Sequence, residues 1–326
     1  MAILDNSSVL ITGGTGSLGK SLVKHLLNES KVRRIVIFSR DEVKQYHMKN
    51  DFGHNSKLRW FLGDIREIER LKRAFHGVDY VIHAAALKQV DTGEYNPMEF
   101  IRTNILGSQN VIDAAIDTGI KRVIAVSTDK ASSPVNLYGA TKLTADKLFI
   151  AANNYSFSYG TIFSVVRYGN VMGSRGSVIP FFRDLANKGE PLPITNFKMT
   201  RFCISLKKAT EFVIESLENM QGGELYVPKI PSIKITDLAK SISPSSRQVE
   251  IGLRPGEKLH EEMISVDDSR RTVVLKDRYV VLPVAADWGF VEPEGEKMKE
   301  GTAFRSDTNE IWMSQNEIQQ FIREVD

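Results

Sequence analysis

A glycine-rich turn near the start of the chain constrains the fold more than any other feature. It follows the apolar run 8–12 directly and opens a segment with helical spacing. Glycines let backbone N–H groups approach a pyrophosphate, and the positive end of the following helix stabilises its charge. This strand–turn–helix context predicts a dinucleotide-binding unit rather than an ordinary turn. The residues expected to form it are Gly13, Thr15, Gly16, Ser17, Leu18 and Gly19.

The first half of the chain alternates short apolar runs with helical patterns. Strands are predicted at 8–12, 34–39, 58–62, 80–83, 123–127 and 162–167, and helices at about 17–28, 66–76, 96–118 and 138–153. Strands that alternate with helices indicate a parallel sheet covered on both faces, so the prediction is an α/β, Rossmann-type, doubly wound fold.

The regular alternation ends at about residue 170. Candidate helices at 178–188, 206–220, 235–241 and 315–325 are mixed there with short strands and prolines. We therefore expect a cofactor-binding domain over 1–170. Residues 171–326 are expected to form mainly a smaller, mixed α/β substrate lobe, with some chain crossing back to the first domain.

Composition excludes several classes of protein. The 326 residues are 42% hydrophobic and 25% charged, with a net charge of +3, as in an ordinary globular protein. No basic stripe predicts nucleic-acid binding, and no signal peptide or membrane-spanning run is evident, so a cytoplasmic location is expected. The single Cys203 excludes an internal disulfide and is expected to be a core residue. The histidines lack metal-ligand spacing, so no metal is predicted.

The end of the second predicted strand discriminates between NAD and NADP. An acidic residue there would bind the ribose hydroxyls, whereas Ser39, Arg40 and the nearby Lys44 suit a 2′-phosphate. NADP is therefore favoured over NAD. The acidic pair Asp41 and Glu42 follows immediately, and capping of a helix is its expected role.

Two further loops are expected to face the cofactor. Asp64 and Ile65, after the third strand, would bracket the adenine, unless Asp64 is only a turn residue. The small residues Ala84, Ala85 and Ala86, after the fourth strand, would allow the backbone to approach the cofactor. Tight packing of a helix on the sheet is the alternative explanation for this run.

Two neighbouring motifs carry the chemistry. Tyr138 and Lys142 are four residues apart and so share one face of a helix. A cationic Lys142 would favour the phenolate of Tyr138, which could then take a proton from an alcohol. Asp129 and Lys130, which follow Thr128, add a second acid and base that a simple alcohol oxidation does not need. The sequence therefore predicts oxidation coupled to a second acid–base step.

The motifs together resemble those of the extended short-chain dehydrogenase/reductases that act on nucleotide sugars. They are similar in particular to the inverting UDP-N-acetylglucosamine 4,6-dehydratases of pseudaminic acid synthesis. The resemblance rests on the segments 127–131 (STDKA), 136–142 (NLYGATK), 167–171 (RYGNV), 173–178 (GSRGSV), 199–202 (MTRF), 254–260 (RPGEKLH) and 304–307 (FRSD). The chain departs from that family at 89–91, where Gln-Val-Asp replaces His-Val-Pro, and at Cys203, where Trp is usual.

The resemblance and the side-chain chemistry imply a mechanism of 4,6-dehydration with inversion at C5. Tyr138, aided by Lys142 and Thr128, would take the proton of the sugar 4-hydroxyl. Neutral Lys130 would remove the C5 proton, and protonated Asp129 would donate to the departing 6-hydroxyl. Burial favours both of these neutral forms, but mutual attraction favours the ion pair, so the two groups titrate together. Retaining relatives carry Glu in place of Lys130.

The resemblance also implies roles in binding a UDP-sugar. Arg201 and Arg254 are candidates for the diphosphate, with an ion pair as the alternative for each. Asn170 is a candidate for a phosphate oxygen and Glu257 for the ribose hydroxyls; an Asx-turn and a helix-start carboxylate are their alternatives. The other candidates are Lys88 near the sugar and Ser177 and Val178 in a turn beside the nucleotide.

Three rival functions remain open from the sequence. The enzyme rivals are a dehydratase that also epimerises C5 and a nucleotide-sugar 4-epimerase, which needs no second acid–base pair. The third is an NADP-sensing binding protein on the same fold. Such proteins typically lack the Tyr-x-x-x-Lys pair, whereas this chain has both Tyr138 and Lys142. The resemblance further implies a homo-oligomer built from dimers, with a hexamer expected.

Overall fold

A computed structural model describes residues 3–172 and 178–323 of the chain. Its strands, β1 to β17 in chain order, are Ser8–Thr12, Arg34–Ser39, Leu58–Leu62, Tyr80–His83, Arg122–Thr128, Ile162–Tyr168, Asn170–Val171, Leu192–Ile194, Thr200–Ile204, Leu225–Pro228, Ser232–Lys234, Gln248–Glu250, Glu262–Ile264, Thr272–Val274, Arg278–Val281, Glu296–Lys297 and Phe304–Arg305. All six predicted strands of the first half are confirmed as β1 to β6.

The helices alternate with these strands in the first half of the chain. The helices α1 to α12 are Ser17–Glu29, Glu42–Phe52, Ile68–Phe75, Val90–Tyr95, Pro97–Phe100, Gly107–Thr118, Leu137–Ser156, Val178–Asn187, Leu206–Asn219, Ile235–Ile242, Val266–Ser269 and Gln315–Arg323. In the described part of the chain, no helix combines the length and apolar character that a bilayer crossing requires.

A ten-stranded sheet forms the centre of the molecule. Its strand order is β16-β14-β15-β10-β6-β5-β4-β1-β2-β3. The strands from β3 to β10 in this order run parallel, and β15, β14 and β16 extend the sheet with antiparallel pairing. The direction of winding reverses between β1 and β4, and ligands of such sheets bind at the carboxyl ends of the strands beside that point. The predicted Rossmann-type fold is confirmed.

The second half of the chain contributes to both the sheet and a separate lobe. The helix α9 packs beside α1, where Thr210 Oγ1 donates to Ser21 Oγ at 2.7 Å, and β10 joins the parallel sheet. The remaining segments form three small sheets, β11-β9-β7, β12-β8 and β13-β17. Two small apolar clusters around Ile179 and Phe182 lie among α8, α10 and α12. This arrangement places β7, β9 and β13 next to the end of β5.

The helix predicted at 96–118 is interrupted. It consists of α5, a π-helical segment Ile101–Leu106, and α6. Such wide turns are frequent at functional sites. Asn104 lies in this segment, and its side-chain amide makes three hydrogen bonds to residues outside the helix, described below.

Three helices, α2, α4 and the short α11, were not predicted from sequence. α2 buries only Gln45 and Met48, so it lacks the apolar periodicity on which the prediction of helices depends. Its N-terminus is instead set by Asp41, whose carboxylate accepts a hydrogen bond from the backbone N–H of Lys44 at 2.9 Å. The expected capping role of Asp41 is therefore confirmed.

Candidate active site

The glycine turn packs directly against the loop after β4. Gly13 has φ +67°, and a Cβ atom at this position would lie 2.9 Å from the backbone of Ala84. Gly16 caps α1 without a side-chain hydrogen bond, and the first turn of α1 has no acidic residue. The N-terminal N–H groups of α1 therefore remain available to an anion, and the missing side chains leave a cradle for it. Thr15 is buried beside this turn, and Ser17 and Leu18 begin the helix.

A Gly13→Ala substitution tests this packing. We expect it to lower the free energy of unfolding by about 1–2 kcal/mol for the left-handed backbone and by about 1–3 kcal/mol more for the clash with Ala84. Urea denaturation measures the loss. Gly119→Ala is the matched control, because Gly119 has φ +71° in the left-handed region with nothing within 4 Å. Equal losses in the two variants would contradict the close approach to Ala84.

Ser39, Arg40 and Lys44 lie together after β2. Ser39 is buried, and its hydroxyl accepts a hydrogen bond from Gln45 Nε2 at 3.1 Å. Arg40 is 54% exposed, with its guanidinium 3.8 Å from Asp64. Lys44 forms an exposed ion pair with Asp41 at 2.7 Å. Arg40 is therefore the cation of this group that is least committed to a neighbour.

Asp64 is held by arginines in the loop after β3. Its carboxylate accepts hydrogen bonds from the backbone N–H and the Nε of Arg66, each at 3.0 Å. Burial alone would raise the pKa of Asp64, but the bonds from Arg66 and the charge of Arg40 hold it below its usual value. Ile65 is buried against Gly107 of α6, so its side chain belongs to the core. Asp64 is thus an anion with two arginines beside it.

The acid–base pair lies where β5 ends in a 3₁₀ turn, Asp129–Ala131. Asp129 Oδ1 accepts hydrogen bonds from Thr128 Oγ1 at 3.0 Å and from Lys130 Nζ at 3.1 Å. The side chain of Asp129 is fully buried, and its Oδ2 has no hydrogen-bond partner among the described residues. Burial raises the pKa of Asp129, and the nearby Glu261 raises it further against the opposing effect of Lys130. A protonated Asp129, as the sequence predicted, fits this environment.

Lys130 has three oxygen atoms around its amine. Nζ lies 3.1 Å from Asp129 Oδ1, 3.3 Å from Glu261 Oε1 and 3.5 Å from Asn170 Oδ1. Burial alone would lower the pKa of Lys130, but Asp129 and Glu261 raise it well above its usual value. The resting group is therefore an ammonium, and the neutral amine that was expected must form by loss of a proton during the reaction.

Tyr138 and Lys142 lie in the first turns of α7, which Asn136 caps by accepting a hydrogen bond from Gly139 N at 2.8 Å. Burial raises the pKa of Tyr138 to about 12, while Lys130 and a hydrogen bond with Thr128 lower it. Burial also lowers the pKa of Lys142, whose amine donates to the Val126 carbonyl at 2.9 Å. Lys130, at the same end of β5, is thus a cation that lowers the pKa of the phenol, and the expected effect of Lys142 stays a prediction.

Asn104 joins the catalytic helix to the loop after β4. Its amide exchanges hydrogen bonds with the backbone N–H and C=O of Leu87 at 2.8 and 2.9 Å, and it donates to Thr141 Oγ1 at 3.0 Å. His83 is buried and bonded to Thr12 Oγ1 at 2.8 Å, and burial lowers its pKa to about 3. His83 is thus a neutral core residue. Asn104 has a structural role, because it holds the loop after β4 against α7.

The predicted substrate residues are divided between interior and surface. Arg201 is buried, and its guanidinium donates to the carbonyls of Thr200 and Lys258 and lies 3.4 Å from Glu257. The ion-pair alternative therefore describes Arg201. Arg254 and Lys88 are exposed, and neither has a side-chain ion pair among the described residues. Asn170 faces Lys130, Val178 begins α8, and Ser177 lies outside the described residues.

Glu261 and Lys258 are site residues that sequence reasoning missed. The carboxylate of Glu261 contacts Lys130, and the amine of Lys258 donates to the Ser132 carbonyl at 2.5 Å, just beyond the same turn. Both follow or belong to the 254–260 motif, which was the signal available in the sequence. Cys203 is buried as predicted, and it also borders the site, because Asp129 adds to burial in raising its pKa to about 12.

Comparisons with known proteins identify the family to which the chain is related. The model of the polysaccharide biosynthesis protein family matches residues 9–283. The inverting UDP-N-acetylglucosamine 4,6-dehydratase of Campylobacter jejuni is 50% identical over 99% of both chains. The UDP-glucose 4-epimerase of Rickettsia massiliae is 41% identical over 90% of this chain and 88% of that one.

Solved structures show the same fold. The X-ray structure of Pen from Bacillus thuringiensis superimposes with a TM-score of 0.91, at 38% identity over 99% of this chain and 98% of that one. The dTDP-glucose 4,6-dehydratase DesIV from Streptomyces venezuelae, solved with NAD bound, gives a TM-score of 0.68 at 23% identity over 77% and 86%. The chain therefore belongs to the polysaccharide biosynthesis protein family and is a relative of the inverting UDP-N-acetylglucosamine 4,6-dehydratases.

Proposed function

We propose that this chain is a hydro-lyase that converts UDP-N-acetylglucosamine to a UDP-4-keto-6-deoxy sugar with inversion at C5, the first step of pseudaminic acid-type synthesis. The observation that carries this proposal is the buried contact between Asp129 and Lys130 at 3.1 Å, beside Tyr138. A second acid–base pair is needed for loss of water and not for oxidation alone. The 50% identity to a dehydratase of this kind supports the same activity.

The residues act in the order that their surroundings favour. Tyr138 takes the proton of the 4-hydroxyl, and the Lys130 ammonium favours the phenolate that this requires. The ammonium then gives up one proton to solvent while Asp129 keeps its own, which leaves a neutral amine beside a protonated carboxyl. The amine removes the C5 proton, and Asp129 donates its proton to the departing 6-hydroxyl as water forms. Asn170, 3.5 Å from the Lys130 amine, is well placed to orient it.

The chain is suited to a nicotinamide cofactor. The cradle between Gly13 and Ala84 and the uncapped start of α1 fit its pyrophosphate, and the related fold of the dTDP-glucose dehydratase holds NAD. When bound, the cofactor supplies the acceptor and the donor of a hydride. We infer that residues 1–170 hold it and that residues 171–326 mainly bind the nucleotide sugar. Arg254 and Lys88, which project to solvent, are the proposed contacts to the UDP-sugar, and Glu257 is the proposed contact to its ribose.

NADP is the proposed form of the cofactor. Arg40 is half exposed and 3.8 Å from Asp64, so a 2′-phosphate would offer it a stronger partner. We expect Arg40→Ala to weaken NADP binding by roughly 10- to 100-fold, as for loss of a charged hydrogen bond, and to leave NAD binding nearly unchanged. Calorimetric titration of the cofactor-free protein measures both affinities, with the exposed Arg73→Ala as control. Equal weakening for NAD and NADP would contradict this assignment.

Incubation with UDP-N-acetylglucosamine in D₂O, followed by NMR of the product, tests the proposed function. Dehydration predicts a C6 methyl group, deuterium at C5 and the inverted C5 configuration. An unchanged C5 configuration would contradict the inverting assignment, and absence of any product would contradict the activity.

A 4-epimerase is the second candidate, favoured by the name of the Rickettsia relative. An epimerase would invert C4, keep the 6-hydroxyl and leave C5 without deuterium. The same NMR spectrum therefore distinguishes the two functions. The Asp129–Lys130 contact favours dehydration, because epimerisation needs no proton transfer at C5.

A further inference from the structure

Glu261 is a second buried carboxyl in contact with Lys130. Its Oε1 lies 3.3 Å from the Lys130 amine, close to the 3.1 Å of Asp129 Oδ1, and its side chain is only 3% exposed. Apart from the shared Lys130 ammonium, the two buried carboxyls have different neighbours, so their pKa values and protonation states differ. The environment of each carboxyl therefore decides which of them is the anion.

The backbone of Glu261 is fixed by the C-terminal tail. Its N–H donates to Ser306 Oγ at 2.9 Å, and its C=O accepts from Ser306 N at 2.8 Å. Ser306 is fully buried and is also bonded to Thr200 Oγ1 at 2.7 Å. Ser306 belongs to the segment 304–307, which resembles the family but has no part in the proposed chemistry. The hydrogen bonds of Ser306 give that segment a role, because they fix the position of the Glu261 carboxyl.

The charges around Glu261 hold it ionised. Besides Lys130, Arg201 Nε lies 3.6 Å from the same Oε1. Burial alone would raise the pKa of Glu261, but Lys130, Arg201 and Lys258 lower it below its usual value, whereas the pKa of Asp129 is raised. The titratable and charged groups that interact with the Lys130 amine are Asp129, Tyr138, Arg201, Lys258 and Glu261.

We propose that Glu261 is a positioning residue that, as a fixed anion, holds the Lys130 ammonium and leaves Asp129 free to keep the proton that it donates to the leaving hydroxyl. This inference rests on the proposed function for the donation step only. Without Glu261, Asp129 would be the one carboxylate beside Lys130 among the described residues and would ionise as its partner. The buried Asp129 Oδ2, which has no partner, is where the retained proton would be carried.

The direct test measures the titration of Asp129 in the protein without substrate, by NMR of aspartate labelled with ¹³C at the carboxyl. Asp129→Asn identifies the signal. In Glu261→Gln, the midpoint of Asp129 should fall to lower pH, because the change removes a neighbouring negative charge. Glu261→Asp keeps the charge and should keep the midpoint. An unchanged midpoint in Glu261→Gln would overturn the proposal.

Glu262→Gln is the matched control. Glu262 is the next residue, and its carboxylate accepts hydrogen bonds from Ser132 Oγ at 3.0 Å and Ser133 Oγ at 2.6 Å rather than from Lys130. We expect this variant to keep the wild-type midpoint of Asp129. If the Asp129 midpoint fell as far in Glu262→Gln as in Glu261→Gln, any carboxylate on this segment would have the same effect on Asp129, which would also overturn the proposal.

Turnover provides a second readout. In Glu261→Gln, the pH optimum of kcat should move to lower pH, and kcat at neutral pH should fall about tenfold for each pH unit by which the Asp129 midpoint falls. The KM should change little, because Glu261 is bonded to the protein. Glu261→Asp should retain the pH optimum; a shift as large as that of Glu261→Gln would contradict a role of charge. If the wild-type protein does not act on UDP-N-acetylglucosamine, the proposed function fails, but the Asp129 titration still decides the role of Glu261.

Discussion

Replacing Lys130 by arginine should lower the rate of water loss by roughly 10²- to 10⁴-fold, the contribution of a positioned general base. Arginine keeps a positive charge between Asp129 and Glu261, but it cannot give up its proton in a protein. The variant therefore separates the charge of Lys130, which the fold and Tyr138 require, from its action as a base. Lys130→Ala should lose the same step and should also slow oxidation, because the cation that lowers the pKa of Tyr138 is gone.

Loss of water measures this effect. The compound supplied to each variant, with reduced cofactor, is the 4-keto form of UDP-N-acetylglucosamine, which still carries its 6-hydroxyl and the C5 proton that Lys130 removes. Formation of the C6 methyl group is followed by NMR. The exposed Lys49→Ala is the control for loss of a lysine elsewhere. Water loss at the wild-type rate in Lys130→Arg would exclude Lys130 as the base and would direct attention to Lys258, whose pKa burial lowers.

The parts of the site that are close together in sequence could be predicted, and the parts that meet only in the fold could not. Asp129 and Lys130 are adjacent, so a strand that ends at Thr128 brings them to one place without knowledge of the rest. Glu261 reaches Lys130 through the pairing of β13 with β17 and the bonds of Ser306, which no local pattern reveals. The only indication of Glu261 in the sequence is that two acidic residues, Glu261 and Glu262, directly follow the 254–260 motif.

The sequence likewise does not reveal which charged side chains are paired with one another inside the fold. Arg201 has the side chain that a diphosphate needs, and from sequence it was a candidate ligand. The fold instead buries it against Glu257 and Glu261, where its donors are already used. The helix α2 was not predicted because most of its surface is exposed, so its sequence lacks apolar residues at helical spacing. The alternation of apolar runs with helical patterns was enough to predict β1 to β6, and all of these strands except β3 are mostly buried.

Tyr138→Phe should abolish oxidation at C4, with a loss of roughly 10²- to 10⁴-fold in turnover of UDP-N-acetylglucosamine. The phenylalanine ring can keep the edge-on packing of Tyr138 against Phe100, whose centroid is 6.4 Å away. Unfolding by urea should therefore change little. Tyr168→Phe is the control, because Tyr168 is a nearby buried tyrosine and burial likewise raises its pKa, but the proposed chemistry does not use it.

The two variants should give crossed results when the 4-keto form of UDP-N-acetylglucosamine, with its 6-hydroxyl intact, is supplied with reduced cofactor. Tyr138→Phe should still eliminate water from it, because that step needs Lys130 and Asp129 and the carbonyl is already present. Lys130→Arg should not eliminate water, although it retains the Tyr138 hydroxyl. Loss of elimination in both variants would mean that Tyr138 also polarises the 4-keto oxygen during proton removal. Elimination in both would place the base outside the Asp129–Lys130 pair, so this one experiment tests the division of labour on which the proposed dehydration depends.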